Sequence, residues 1–191
     1  MHLIRHLPPI ALAIVVCMST LAADAEATVM RYADVDRLVE ISDLVVYGVV
    51  TDRRIVDDGD VPWTDTDIAV GHVFLGDRRT RITFHQWGAD DGKKRGRIAG
   101  DPRLEPGQEV VLFLRIDEQR GGYALAALGQ AVFEVRDNGD QRLVHRDLED
   151  LSFLLTADDK TRIIHHRDVA HEWSIFVATI EELISGREDE R

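Results

Sequence analysis

The sequence has few of the residues that stabilise small secreted or zinc-binding domains. It contains a single cysteine among 191 residues, so it can form no internal disulfide and complete no cysteine-based zinc finger. Lysine and arginine number 23 against 35 aspartates and glutamates, which gives a formal net charge of -12. An acidic chain repels phosphate backbones, so the composition argues against nucleic acid as a partner.

Long apolar segments are scarce as well. A helix that crosses a bilayer needs ~20 apolar residues, and the run near the N-terminus, Ile10–Leu21, has only 12. Arg5 precedes this run, and an Ala-x-Ala site follows it. The pattern predicts a secretory signal peptide over residues 1–25, removed by cleavage after Ala25 or Ala27. We therefore expect a mature chain that is extracellular or periplasmic and has no membrane span.

The remainder of the sequence has the composition of one globular domain. Hydrophobic residues make up 45% and charged residues 30% of the chain, which is typical of a folded core with a solvated surface. We expect a single domain over 28–186 and a frayed, charged tail over 187–191. A short helix over 35–42 is predicted near its start, with Asp34 as the N-cap.

Alternating and β-branched segments predict that most of the domain is built from strands. Leu112 and Phe113 belong to the most apolar of these segments and should be buried. His72 alternates with apolar neighbours and is expected in the core or at its rim. The predicted strands are Leu44–Val50, Asp67–Leu75, Arg81–Trp87, Glu109–Ile116, Tyr123–Leu128, Ala131–Arg136 and Arg142–Arg146.

Two further segments depart from the strand pattern. Gly88–Gln108 is rich in glycine and is predicted to be a long loop, which in a compact domain is usually functional or mobile. The C-terminal segment predicts an amphipathic helix, with Ser174 as the N-cap and Gly186 as the stop. Its apolar stripe consists of Trp173, Phe176, Val177, Ile180 and Ile184.

A resemblance to a known family lies in the order of these patterns. The segments that carry it are Asp43–Val50, Gly100–Leu114 and Gly129–Val135, within a match over about 35–136. They resemble a group of bacterial secreted proteins whose pattern is similar to the netrin-like OB-fold domain of the tissue inhibitors of metalloproteinases. The resemblance implies a mostly β, five-stranded OB-like barrel with a short N-terminal helix and a C-terminal amphipathic helix.

Two positions depart from the family pattern. Leu75 stands where a lysine is expected before Gly76, which has little consequence. The animal inhibitors bind the protease metal through an N-terminal cysteine, whereas the mature chain would have none because Cys17 lies in the predicted signal peptide. That inhibitory mechanism is therefore not transferred to this chain.

The sequence contains no complete catalytic or metal-binding motif. His165, His166 and His171 cluster around Asp168, but their spacing does not put three imidazoles on one helical face. No serine lies in a Gly-x-Ser-x-Gly motif. We predict no catalytic residue, metal or cofactor. The alternative is a secreted hydrolase or metal-dependent enzyme that uses the segment from His165 to His171.

The residues best suited to binding a partner lie in predicted loops or at their borders. Trp63 and Trp87 border loops at strand ends, where exposed aromatic side chains often anchor a partner. Lys93, Lys94 and Arg95 form one basic run inside the loop. The leading interpretation is a secreted, non-catalytic module that binds another secreted or envelope protein. The family resemblance adds an extracellular protease as one candidate partner.

Overall fold

Strands account for most of the chain that the structure describes. This structure is a computed structural model, and it describes residues 28–57, 62–90, 95–98, 100–157 and 160–189. The elements are β1 (Thr28–Arg31), α1 (Val35–Ile41), β2 (Leu44–Asp57), β3 (Pro62–Leu75), β4 (Arg81–Asp90), β5 (Arg95–Arg97), β6 (Glu109–Ile116), β7 (Tyr123–Gly129), β8 (Val132–Asp137), β9 (Arg142–His145), β10 (Leu151–Ala157), β11 (Lys160–Ile164), β12 (His171–Glu172) and α2 (Trp173–Asp189).

Five of these strands close into a barrel. β2, β3 and β4 form an antiparallel meander, and β6 pairs with β2 on one side and with β7 on the other. The ring closes because β7 runs parallel to β4, where Tyr123 pairs with Phe84 and Ala124 with His85. The resulting order, β2-β3-β4-β7-β6, is that of an OB-like barrel. The predicted fold class is therefore confirmed, including the short N-terminal helix and the C-terminal helix.

The remaining strands extend the barrel or lie beside it. β8, β9 and β12 continue the sheet from β6, and β5 pairs with the end of β4. β1, β10 and β11 form a separate small sheet, in which Thr28–Arg31 runs parallel to Leu151–Leu154. The sequence did not predict this sheet. β10 and β11 are consecutive in the chain, but β1 pairs with β10 across most of the sequence, which no local pattern reveals.

The core fills the barrel and the space between the barrel and α2. Leu112 and Phe113 are both completely buried, as predicted. Phe133 links the two regions, since its ring centroid lies 5.6 Å from that of Phe113 and 4.8 Å from that of Phe176 on α2. Aromatic pairs at these separations add to the free energy gained by apolar burial.

The two helices pack together through their ends. Asp34 caps α1 as predicted, because its carboxylate accepts a hydrogen bond from the Arg37 backbone N–H at 2.9 Å. The predicted end of α2 at Gly186 is wrong, and the helix continues to Asp189. The guanidinium of Arg187 donates to the carbonyls of Val39 and Ser42 at the end of α1, which fixes this last turn. No helix in the described part of the chain is long and apolar enough to cross a membrane.

Two local predictions need correction. Gly88–Gln108 is not one continuous loop, because β4 runs to Asp90 and its last residues pair with β5. This pairing depends on backbone hydrogen bonds, which leave no apolar pattern in the sequence. His72 is exposed instead of lying in the core or at its rim, because bulges in the β2–β3 pairing shift the side-chain alternation.

A buried arginine holds the N-terminal segment against the rest of the domain. Arg146 forms an ion pair with Asp168, and their side chains are only 2% and 8% exposed. Its guanidinium also donates to the Ala33 carbonyl at 2.7 Å and to the Tyr32 hydroxyl at 2.6 Å. Gln130 completes the attachment, since its side chain bonds the backbone of both Ala33 and Arg31.

Candidate functional site

Two tryptophans lie side by side on the outer surface of the barrel. Trp63 on β3 is the register partner of Trp87 on β4. Ile68 on β3 and Phe84 on β4 belong to the core. Each is an odd number of residues away from the tryptophan on its own strand, so strand alternation directs both indoles outwards. Trp87 is 45% exposed. The guanidinium of Arg120 lies over the Trp63 ring, 4.4 Å from its centroid.

A polar network continues along the same outer surface. Asp65 is buried, and its carboxylate lies 2.7 Å from Nδ1 of His85 and 3.5 Å from the Arg54 guanidinium. Arg54 also donates to Asp67 at 2.5 Å, and the Thr83 hydroxyl donates to the other oxygen of Asp67 at 2.5 Å. The network fixes the side chains on three adjacent strands, so the tryptophan pair lies at the end of a rigid surface.

The carboxylate of Asp67 is stabilised in its charged form. Burial alone would raise its pKa, but the hydrogen bonds from Arg54 and Thr83 outweigh that effect. The pKa of Asp67 is therefore held below its ordinary value. Asp67 therefore keeps its charge to a lower pH than an ordinary aspartate does, and the charged form bonds Arg54.

The loop between β6 and β7 forms a wall beside the tryptophans. Asp117 organises this loop, because its carboxylate accepts from the backbone N–H groups of Gln119 and Arg120 at 3.0 and 3.2 Å. Gly122 adopts a φ of +86°, and a side chain there would approach Nε2 of His85 to 3.0 Å. The same Nε2 lies 3.1 Å from the Gly121 carbonyl, which ties the loop to β4.

A cleft of about 700 Å³ opens between this loop and the tryptophan pair. Four carboxylate side chains and one arginine are among its lining residues, so the cleft carries an excess of negative charge. It is lined by Asp43, Trp63, His85, Gln86, Trp87, Ile98, Asp101, Arg115, Ile116, Asp117, Glu118, Gln119, Ala124, Leu125 and Leu128.

The structure brings together part of the predicted partner-binding set. Trp63 and Trp87 meet at one surface. The backbone of Arg95 begins β5, where it pairs with Asp90, three residues beyond Trp87 along β4. Lys93 and Lys94 lie outside the described residues.

The clustered histidines of the sequence do not form one site. His165 lies near Ser152, with 3.5 Å between its Nδ1 and the hydroxyl. His166 packs on the ring of Tyr32, and His171 stacks on Phe176. Across the described residues, no group of three or more His, Cys, Asp or Glu side chains is arranged to hold a metal ion.

Sequence reasoning missed the network of Asp65, His85 and Arg54. The three residues are separated along the chain, and they meet only because Asp65 is the register partner of both Arg54 and His85. A correct register for the β3–β4 hairpin would have paired Asp65 with His85, since the same register pairs Trp63 with Trp87. Arg54 required the β2–β3 register as well.

The cleft is therefore a surface site on an OB-like barrel. It is bordered by β3 and β4, the second and third barrel strands, and by the loop between β6 and β7, the fourth and fifth.

Comparisons with protein-family models and with curated proteins find no match to this chain.

Proposed function

We propose that this chain is an exported, non-catalytic module that binds another protein through the Trp63–Trp87 surface. The observation that carries the proposal is the cross-strand tryptophan pair beside a cleft, one wall of which is the hydrogen-bonded loop between β6 and β7. Tryptophan and arginine are among the residues most enriched at the energetic centres of protein interfaces. In this chain Trp87 is exposed, and Arg120 stacks on its partner Trp63.

The position of the surface on the barrel supports a binding role. OB-type barrels bind their ligands on the face of the second and third barrel strands, between the loops that join strands one to two and four to five. In this chain the corresponding strands are β3 and β4, and the corresponding second loop is the one that Asp117 organises. Such a fixed loop loses little conformational entropy when a partner binds.

The charge of the cleft favours a polypeptide partner over a nucleic acid. Asp43, Asp101, Asp117 and Glu118 line it together with the single arginine Arg115. Excess negative charge repels phosphate backbones and suits a partner that offers basic or hydrogen-bond-donating side chains. We include Lys93, Lys94 and Arg95 among the proposed partner contacts on the grounds of sequence alone.

The histidine next to the cleft serves a structural purpose in this proposal. His85 is held between the Asp65 carboxylate and the Gly121 carbonyl, so both ring nitrogens already face acceptors. The alternative of a hydrolase or metal-dependent enzyme relies on the segment from His165 to His171, whose imidazoles contact three different neighbours.

A quantitative pull-down from culture supernatant tests the proposal. We expect the purified domain to retain a partner that the Trp87→Ala variant loses. Replacing a residue at the energetic centre of an interface by alanine weakens binding by about thirtyfold or more. Two matched controls should bind normally: Ile163→Ala, which removes an apolar side chain that is 61% exposed, and a triple alanine variant of His165, His166 and His171. Equal recovery by wild type and Trp87→Ala would refute the proposed site.

Export is tested separately, by N-terminal sequencing of the protein from the producing cells. The proposal requires a mature N-terminus at Glu26 or Thr28. Recovery of a chain that still begins at Met1 would contradict it. The same sample tests the family resemblance in function, since an inhibitor should reduce the activity of an extracellular protease from the same supernatant.

A further inference from the structure

The second half of β3 has an open edge, at the end of the strand opposite Trp63. Pairing between β3 and β4 ends where Ala69 meets Arg81, followed by one hydrogen bond from the Val70 N–H to the Thr80 carbonyl at 3.0 Å. Beyond that point Gly71–Leu75 pairs with β2 alone. Within the described chain, no backbone hydrogen bond joins this segment to the loop that returns to β4.

The returning loop places three arginines beside that edge. Arg78, Arg79 and Arg81 are all exposed. Arg79 lies 3.7 Å from Asp77, which is itself 90% exposed, and its guanidinium stands over the ring of Tyr123. Exposed pairs of this kind are weak and exchange easily for a better acceptor. Arg78 has no ion pair within the described residues.

The strand edge and the arginines enclose a cleft of about 760 Å³. No carboxylate of the described residues lines this cleft, although the chain as a whole carries a charge of -12. Its lining residues are Val70, Gly71, His72, Val73, Arg78, Arg79, Thr80 and Arg81. One wall therefore offers strand backbone, and the other offers concentrated positive charge.

We propose that this cleft binds an extended acidic peptide segment of a partner protein as an added strand. Unpaired strand edges accept a peptide through main-chain hydrogen bonds, and the side chains that alternate along it provide specificity. A guanidinium forms paired hydrogen bonds with a carboxylate, so glutamate or aspartate at every second peptide position matches the arginines. The proposal is independent of the Trp63–Trp87 surface.

The length of the edge limits the size of the peptide. Val70–Val73 spans four residues, and at ~3.3 Å per residue this corresponds to about 13 Å of strand. A segment of about seven residues covers this distance with at least one residue to spare at each end. The suitable probe is an acetylated and amidated heptapeptide that alternates valine with glutamate.

Fluorescence anisotropy with this labelled probe tests the proposal. We expect the double variant Arg78→Glu and Arg81→Glu to weaken binding at least about tenfold, since each reversal turns an attraction into a repulsion. The matched control reverses Arg162 and Arg167, which are exposed and do not line the cleft, and should leave the affinity within twofold. Thermal melts of both variants check that the fold is intact.

Modified probes distinguish strand addition from simple charge attraction. A probe with lysine in place of glutamate, and a probe N-methylated at alternate residues, should both fail to bind. Equal binding of the N-methylated probe would overturn the proposal, as would displacement of the peptide by inorganic phosphate at millimolar concentration. Natural proteins also use charged residues to keep strand edges from aggregating. If the wild type binds no peptide and a variant with alanine at both Arg78 and Arg81 self-associates, the arginines protect the strand edge from aggregation and the peptide-binding proposal is refuted.

Discussion

Replacing Arg146 with alanine should destabilise the domain severely, because this side chain carries a buried charge. Its guanidinium is 2% exposed and bonds the Asp168 carboxylate, the Ala33 and Gln130 carbonyls and the Tyr32 hydroxyl. Alanine leaves Asp168 charged, 8% exposed and without its cation. Breaking a buried ion pair in this way costs about 3–5 kcal/mol. That is a large fraction of the ~5–15 kcal/mol that stabilises a typical domain.

Urea unfolding followed by circular dichroism and tryptophan fluorescence measures this loss. The matched control is Arg136→Ala, because Arg136 also pairs with a carboxylate, that of Glu134, but its side chain is 67% exposed. An exposed pair contributes about 0–1 kcal/mol, so the control should unfold close to wild type. A loss below about 1 kcal/mol for Arg146→Ala would refute the reasoning.

A double-mutant cycle separates the ion pair from the other contacts of Arg146. Arg146→Met combined with Asp168→Leu removes both charges, so the double variant should be more stable than the sum of the single losses predicts. We expect a coupling free energy of about 1–3 kcal/mol. Hydrogen exchange should also show faster exchange in 28–33 for Arg146→Ala, because that segment is attached through Ala33.

Three further changes test the core, the loop and the polar network. Leu112→Ala should cost about 2–5 kcal/mol in urea unfolding, since the side chain is fully buried. Gly122→Ala should lower the melting temperature more than Gly139→Ala does, because both have a positive φ but only Gly122 has an atom within 4 Å of the added carbon. The pKa of Asp67 is lower in the folded chain than in the unfolded chain, so its charged carboxylate stabilises the fold at pH values above the unfolded-state pKa. This stabilisation is lost as the pH falls through the folded-state pKa. Asp67→Asn should therefore show a shallower fall in melting temperature in acid than wild type.

The elements predicted correctly from the sequence are those that local physics determines. Glu109–Ile116 matches β6 at both ends, because a continuous apolar run of this length between turn residues suits a buried strand. The Asp34 cap was visible for a similar reason, since the capping carboxylate and the N–H it bonds are three residues apart.

The candidate site was only half predictable because it depends on strand register. Composition and position singled out Trp63 and Trp87 separately, but only the register of β3 and β4 makes them neighbours. A shift of one residue in that register would send every side chain to the opposite face. The end of α2 was missed for a related reason: Arg187 finds its acceptors on α1, 148 residues away from Val39.

The attachment of the N-terminal segment also determines when the domain can finish folding. Ala33 bonds Gln130 across 97 residues of sequence, and Val39 receives its hydrogen bond from Arg187 across 148. Contacts that close such long loops form late and slow the folding of a chain. The segment that contains Ala33 and Val39 is synthesised early, and it therefore lacks its last native partner, Arg187, until almost the whole chain has been made.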